Sequence, residues 1–472
     1  MKKIILLIST IFFSIGVQSI TNIDPIEKPI QISKDYSRYF IEKTGNTWIP
    51  IMINYLPRQQ AANDDEAFAE IERYFKNFSS NGGNALRIWI STPFLEIEDT
   101  EEGVYNPLKF ERIDKMLALA EKYGILIKFT LQHITTISSS NKWSNSAVLA
   151  KNYKNIREYA NTPKGLASYL KRAKALSDRY KNNEQIYSWE LWNEVDGMID
   201  ADWMGFSNSA IDAVTELFPN HLVVQTVGSL DSEFSETTKY PNYFEIKNND
   251  FISVHRYLDL GDKWQQYEKI RIPMDELAAY GVDFSYKRVP NKPIVVNEIG
   301  AVQPSHIGPS ELYPVDKEGL LLHDMIFAPF FAGAAGSGGA WHWDSYIDKN
   351  NLWYHFKRFN NAINKVDPIK EKFVPFFFEY SGLKWYVLQG ENKTLVWLRD
   401  AANNWKSELE NGTKPQTISN VHINIEKIQT TSRKKYSVYD PWKDAWVKAA
   451  MISSGEIEIP EFSRSVVILL EN

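Results

Sequence analysis

SWELWNEVD (residues 188–196) and KPIVVNEIG (292–300) follow one pattern: an apolar, β-leaning run ends in Asn-Glu, and a chain-turning residue follows. Four to eight apolar or aromatic residues bounded by turn signals read as a buried parallel strand. Each run therefore sets a carboxylate, Glu194 or Glu298, at the C-terminal tip of such a strand. In a (β/α)8 barrel those tips crowd one mouth, and that mouth is where the fold does its chemistry.

Working outward from these two runs, strand-like and helix-like segments alternate, as parallel βα units require. WIPIMINYL (48–56), NALRIWIS (84–91), GILIKFTLQH (124–133), QIYSWELWNE (185–194), HLVVQTVG (221–228), DFISVHRY (250–257), KPIVVNEIG and GSGGAWHWDSY (336–346) make a set of eight. Between them, Phe68, Ile71, Phe75 and Phe78 recur at helical spacing before Gly82-Gly83, and Ile113, Met116, Leu117 and Ala120 do so before Gly124. Thr162 and Pro163 predict a capped helix start with the stripe Leu166, Leu170, Ala173, Leu176. Further helices are expected near 203–217, 264–281, 317–331 and 352–366, but 229–249 shows no helical stripe. The expected fold is α/β, a (β/α)8 TIM barrel. No glycine-rich phosphate fingerprint follows the first strand, which counts against dinucleotide binding.

From about residue 371 short β runs such as KWYVLQG, KTLVWLRD and SVVILLE are separated by Gly, Asn, Asp and Pro. They predict an all-β sandwich. The expected organisation is thus a signal peptide over 1–19, a catalytic barrel over 20–370 and a C-terminal β-sandwich over 371–472. The loops 91–107 and 133–162 are long and polar and leave the carboxylate side. Loops of such length in a compact domain are usually functional or flexible. The acidic run 96–102 reads as a solvated loop.

The net charge of −6 argues against a nucleic-acid surface, which would want a clustered basic face. Lys2 and Lys3 precede an apolar run from Ile4 to Val17, and Ser19 offers a small residue for cleavage, so the chain is expected to be exported. No further stretch is long enough to span a bilayer once that signal is removed. Absence of cysteine excludes a lipoprotein anchor, disulfides, thiolate metal sites and a cysteine nucleophile. None of the eight histidines shows the paired helical spacing of a metal site, so neither metal nor cofactor is expected.

Side chains alternate across a strand, so parity predicts which point inward. Glu190, Trp192 and Glu194 would share one face, and Ile294, Val296 and Glu298 another. Ala85, Arg87 and Trp89, then Ser253, His255 and Tyr257, then Trp341 and Trp343 supply further inward positions, and His133 closes its strand. Glu190 lies deeper and reads as a paired structural carboxylate, which Arg87 could neutralise. Trp89 and Trp143 fit a binding platform as well as they fit a core or loop-anchor role.

These residues resemble the retaining glycoside hydrolases of the family 5-like clan, the cellulases, β-mannanases and relatives. The resemblance covers roughly residues 35–365. It rests on Arg87, His133, Asn193-Glu194, His255 with Tyr257, Glu298, and Trp341 or Trp343, all in the family's order along the strands. Val195 stands where the family often has Pro. The resemblance implies a β-linked carbohydrate substrate, with β-mannan or β-glucan foremost, cleaved by double displacement. Glu298 would be the ionised nucleophile, held by Arg87 and oriented by Tyr257, and Glu194 the protonated acid and later base. Asn193 would bind the sugar 2-hydroxyl, His133 and His255 would fix hydroxyls and neighbouring carboxylates, and Trp343, nearer the strand end than Trp341, would floor the reacting subsite. An exo-acting β-mannosidase or β-galactosidase type is the nearest alternative. A non-catalytic carbohydrate-binding barrel would normally have lost one carboxylate.

Overall fold

A computed structural model describes residues 28–57, 63–133, 143, 146, 148–261, 267–304, 308–428, 432–453 and 455–472. The export signal expected at 1–19 and most of the polar loop after His133 lie outside these residues. No helix among those described is long and apolar enough to cross a membrane.

Three short strands, β1 (Ile30–Ile32), β2 (Phe40–Glu42) and β3 (Thr47–Trp48), form an antiparallel sheet. Phe40 meets Phe251 edge-on at 5.5 Å and Trp48 meets Tyr187 at 5.0 Å, so this sheet covers the N-terminal ends of the parallel strands. The run 48–56 is therefore two strands and not one. Pro50 has no N–H for a ladder, and β4 (Met52–Asn54) restarts after it in a different sheet.

The parallel strands are β4, β5 (Ala85–Trp89), β6 (Leu126–His133), β7 (Ile186–Asn193) and β8 (Leu222–Val224), adjacent in that order, and the pair β9 (Ile252–Asp259) and β10 (Ile294–Val302). Their register aligns Asn54, Arg87, Lys128, Ser188 and Leu222 in one row. Backbone bonds from Asp250 N to Val223 O (3.1 Å) and from Leu230 N to His255 O (3.2 Å) link the two sheets on one side. On the other side Ala340 bridges in parallel to both Ile53 and Ile299.

The expected eighth strand is thus a correction: only Ala340 bridges, and Trp343–Asp348 coils into a π-helical turn. Its glycines explain the close fit. A Cβ on Gly339 would stand 2.5 Å from the Asn297 carbonyl oxygen, and one on Gly336 2.2 Å from that of Pro50.

Helices cover the outside, over Asp64–Ser80, Pro107–Lys122, Pro163–Tyr180, Trp203–Leu217, Met274–Tyr286, Leu320–Phe331 and Tyr354–Ile363. Thr162 caps its helix as expected, accepting from Gly165 N at 3.2 Å. The stripe missing from 229–249 has a physical origin: Ser235–Lys239 is π-helical before a short α-turn, so 3.6-residue spacing does not hold there.

The C-terminal region is one six-stranded antiparallel sheet, in the order Val374–Tyr380, Leu383–Gln389, Lys393–Asp400, Ser465–Glu471, Lys435–Asp440, Ala445–Met451. Two short ladders, Thr417–Ile418 with Phe462–Ser463 and Val421–Asn424 with Glu456–Ile459, accompany it. Alternation gives the sheet two apolar faces. Tyr386, Leu388, Trp397 and Leu469 join the core of the parallel-sheet region, while Trp385, Val387, Leu398 and Ile468 pack with Ile423, Ile457 and Ile459 from one ladder. Among the described residues, the face of the sheet turned away from the parallel-sheet region is covered by these short ladders and by Ile425 and Ile428 of a 3-10 turn, not by a second full sheet.

Candidate active site

Arg87 organises the mouth from inside. Its buried guanidinium donates from Nε and Nη2 to Glu190 (2.8 and 2.6 Å), from Nη1 to Glu298 Oε1 (2.5 Å) and Asn54 Oδ1 (3.1 Å), and from Nη2 to Asn193 Oδ1 (2.6 Å). One fork thereby ties the strands carrying both Asn-Glu pairs. The planar five-donor geometry of arginine is what permits this. Glu190 also takes Lys128 Nζ at 2.9 Å and Thr226 Oγ1 at 2.6 Å. Burial alone would raise its carboxyl, but Arg87 and Lys128 outweigh that and hold it far below the usual range. It is the structural carboxylate that the sequence suggests.

Glu298 has a donor on each oxygen, Arg87 on Oε1 and the Tyr257 hydroxyl on Oε2 at 2.7 Å. Glu194 stands opposite. It leaves β7 with φ 52° and ψ 55°, a left-handed conformation costing a non-glycine residue about 1–3 kcal/mol. Its N–H donates to Thr226 Oγ1 and the Val195 N–H to Thr226 O, both at 3.2 Å, which anchors that turn. His255 Nδ1 lies 2.9 Å from Glu194 Oε1 and 3.5 Å from Glu298 Oε2.

One donor atom each from Glu194, His255 and Glu298 lies within 4.8 Å of the others. A metal ion could bridge such a spacing, but both oxygens of Glu298 already accept from Arg87 and Tyr257. A cation there would face a buried guanidinium. The chemistry of the set is that of two carboxyls in different environments. The Glu194 side chain is 23% exposed, more than Glu298 or His255, and protein atoms pack around its carboxyl. Burial, then the Asp196 carboxylate, push it up to about 7, against the opposing charges of Lys239 and Arg87. Asp196 is itself fixed by Gly228 N (2.6 Å) and Lys239 (3.3 Å). Desolvation of the cation lowers His255 to about 4, so its ring is neutral at pH 7.

The predicted residues Arg87, Asn193, Glu194, His255, Tyr257 and Glu298 thus converge. His133 stands beside them without a bond to either glutamate. It stacks on Trp89 at 4.7 Å and 20°, and its Nδ1 meets Ser91 Oγ at 2.6 Å. Trp341 is partly exposed and tilts against Trp89 at 5.1 Å, whereas Trp343 is buried against Tyr55. Of the two, Trp341 presents more of its ring to solvent than Trp343, the indole favoured by its place in the sequence. Both indoles line a cavity of about 570 Å3 with Leu56, Pro57, Thr92 and His342. An apolar groove of about 530 Å3 beside the C-terminal sheet includes none of the site residues.

Parity misassigned two strands. Trp192 packs outward against Tyr169 and Phe206, so it shares no face with Glu190, while Asn193 turns in to Arg87. In β10 the register shifts between Val296 and Glu298, a bulge that brings Asn297 to the same side as Glu298. Sequence reasoning missed Asn297 for that reason, and it missed Lys128 and Asp196. A lysine inside an apolar strand and a third acid in NEVD were the available signals. Trp143 is a loop anchor, donating to Tyr153 O at 2.8 Å. The acidic run is also not simply solvated: Glu96 pairs with buried Arg172 at 2.9 Å through both oxygens, and Leu95 and Ile97 are core.

The chain matches no protein-family model. It is 25% identical over 256 residues to a probable mannan endo-1,4-β-mannosidase F of Aspergillus oryzae, covering 48% of this chain and 51% of that protein. It is 24% identical over 225 residues to mannan endo-1,4-β-mannosidase A of Hypocrea jecorina, covering 40% and 48%. The chain spans about half the length of these curated relatives. A glycoside hydrolase family 5 structure from Bacteroides vulgatus superposes with a TM-score of 0.59 at 14% identity, covering 94% of this chain and 93% of that one. The resemblance to family 5 glycoside hydrolases read in the sequence holds. A second structure, described as a glycoside hydrolase, gives a TM-score of 0.58 at 15% identity over 94% and 97% of the two chains. At these identities the likeness is one of fold, and it extends over both the parallel-sheet region and the C-terminal sheet.

Proposed function

We propose that the protein is an exported, retaining β-glycoside hydrolase, a (β/α)8 barrel over 20–370 completed by Ala340, with an accessory β-domain over 371–472. β-Mannan is the foremost substrate class, because the curated relatives are described as mannan endo-1,4-β-mannosidases. The observation that carries the reading is the spacing and asymmetry of two carboxyls: oxygens within 4.8 Å, one carboxyl bonded by Arg87 and Tyr257, the other raised to about 7. Retaining enzymes hold their pair about 5–5.5 Å apart, whereas inverting ones leave about 6.5–9.5 Å for a water.

Glu298 attacks the anomeric carbon while Glu194 gives its proton to the departing glycosidic oxygen. Forming the ester removes the negative charge of Glu298, which lets Glu194 lose its proton and act as base for water. Asn193, its Oδ1 held by Arg87, turns its Nδ2 donors to the sugar 2-hydroxyl. Trp341 supplies the floor of the reacting subsite, and His133, braced by Trp89 and Ser91, faces a hydroxyl.

The test is a screen of wild-type and Glu298→Gln proteins on β-mannan, β-glucan, xylan and aryl β-glycosides, with products sized. The variant should keep binding and lose nearly all turnover on whichever substrate the wild type cleaves. Wild-type rates in the variant would remove Glu298 from the chemistry.

A further inference from the structure

A buried chain of polar groups leads from the barrel interior to the acid. Lys128 Nζ lies 2.6 Å from the Asn297 side-chain oxygen, Asn297 Nδ2 lies 3.2 Å from His255 Nε2, and His255 Nδ1 lies 2.9 Å from Glu194 Oε1. Lys128, Asn297 and His255 are all fully buried.

The direction of every bond in the chain follows from its first member. A lysine ammonium donates and cannot accept, so the Asn297 atom facing it must be oxygen. That orientation turns the amide nitrogen to His255 Nε2, which must accept. A neutral imidazole carries one proton, so it resides on Nδ1 and is donated to Glu194 Oε1. When Glu194 is protonated, its own proton is then excluded from Oε1. It sits on Oε2, for which no described residue supplies a partner.

We propose that Lys128 and Asn297 are positioning residues that act through His255: they lock its Nδ1–H tautomer and so keep the acid proton of Glu194 on the oxygen that faces the leaving group. In the other tautomer, Nδ1 would present a lone pair and draw that proton onto Oε1, away from the glycosidic oxygen. The bulge in β10 is what makes the lock possible, because it brings Asn297 and the nucleophile to one side. Lys128 has a second duty at Glu190, so Asn297 is the cleaner point to cut.

This inference rests on Glu194 being the acid. Its test compares a natural β-linked oligosaccharide, whose leaving group needs a proton, with the 2,4-dinitrophenyl β-glycoside of the same sugar, whose leaving group does not. Asn297→Leu should lower kcat/KM on the oligosaccharide on the order of 100-fold, as lost proton donation does, and on the aryl glycoside by less than about 10-fold. Equal losses on both substrates would mean that Asn297 only supports the fold, and the proposal would fall. Histidine nitrogen NMR of the wild-type protein checks the lock without any variant: His255 should be protonated on Nδ1, and protonation on Nε2 would overturn it. Glu194→Ala separates this from the underlying reading. If Glu194→Ala spares the oligosaccharide, the acid assignment itself fails. If it abolishes that activity while Asn297→Leu does not discriminate, only the lock fails.

Discussion

Glu194 and Glu298 are the same residue type, preceded by the same asparagine, and their surroundings make them different groups. Glu298 meets a guanidinium and a phenol at hydrogen-bonding distance, whereas Glu194 faces enclosure and a neighbouring carboxylate. An acid catalyst must carry its proton in the free enzyme. With the Glu194 carboxyl raised to about 7, kcat/KM should hold below that pH and fall as pH rises through it. Asp196 contributes to the rise, so Asp196→Asn should move the alkaline limb to lower pH. Removing the opposing cation in Lys239→Met should move it higher. A limb that does not move in either variant would mean that these charges do not reach the acid. Each substitution is read from a pH–rate profile on one oligosaccharide.

Elements determine which of these groups can meet. Between β10 and β4 the backbone bridges through Ala340, the Asn54 amide donates to the Asn297 and Gly339 carbonyls at 3.0 and 2.9 Å, and glycines seat the segment with their α-carbons against carbonyl oxygens. Gly339→Ala would press a methyl group on the Asn297 carbonyl, and overpacking of this kind typically costs about 1–3 kcal/mol. Melting temperature and kcat/KM should therefore fall together, since Asn297 belongs to the chain that reaches Glu194. A melt and a rate matching wild type would show that this seam is loose. The sequence carried the parallel strands and the two acids well, because apolar runs between turn residues report burial directly. It misled where regular periods break. A bulge at Asn297, an outward Trp192 and a π-helical turn after Ser235 each defeat the 2.0 or 3.6 spacing. Pro50 was a legible signal that β3 and β4 separate, and the glycine run 336–339 a legible sign of close backbone packing.

At the scale of the whole molecule, the C-terminal sheet finishes the core. The helix Leu320–Phe331, LLLHDMIFAPFF, is buried along its entire length. A helix apolar all round must be covered on all sides, and the sheet supplies the outer cover through Trp397, 5.9 Å from both Phe327 and Phe331. Buried ion pairs cross the same boundary, Lys384 to Asp275 at 2.9 Å and Arg399 to Asp324 at 3.0 Å. Removing one partner of such a pair costs about 3–5 kcal/mol. A chain ending at residue 370 loses both cations and uncovers that helix, so it should aggregate on expression. A soluble, monomeric 20–370 fragment with full activity would show that the sheet is dispensable to the parallel-sheet region.

The most direct test of the central claim is the mass of the protein after reaction with a 2-deoxy-2-fluoro-β-glycosyl fluoride of the sugar it cleaves. A retaining pair predicts accumulation of one covalently bound sugar, mapped by peptide digestion to Glu298. A label on any other residue, or turnover that releases the α-anomer with no adduct, would contradict the account.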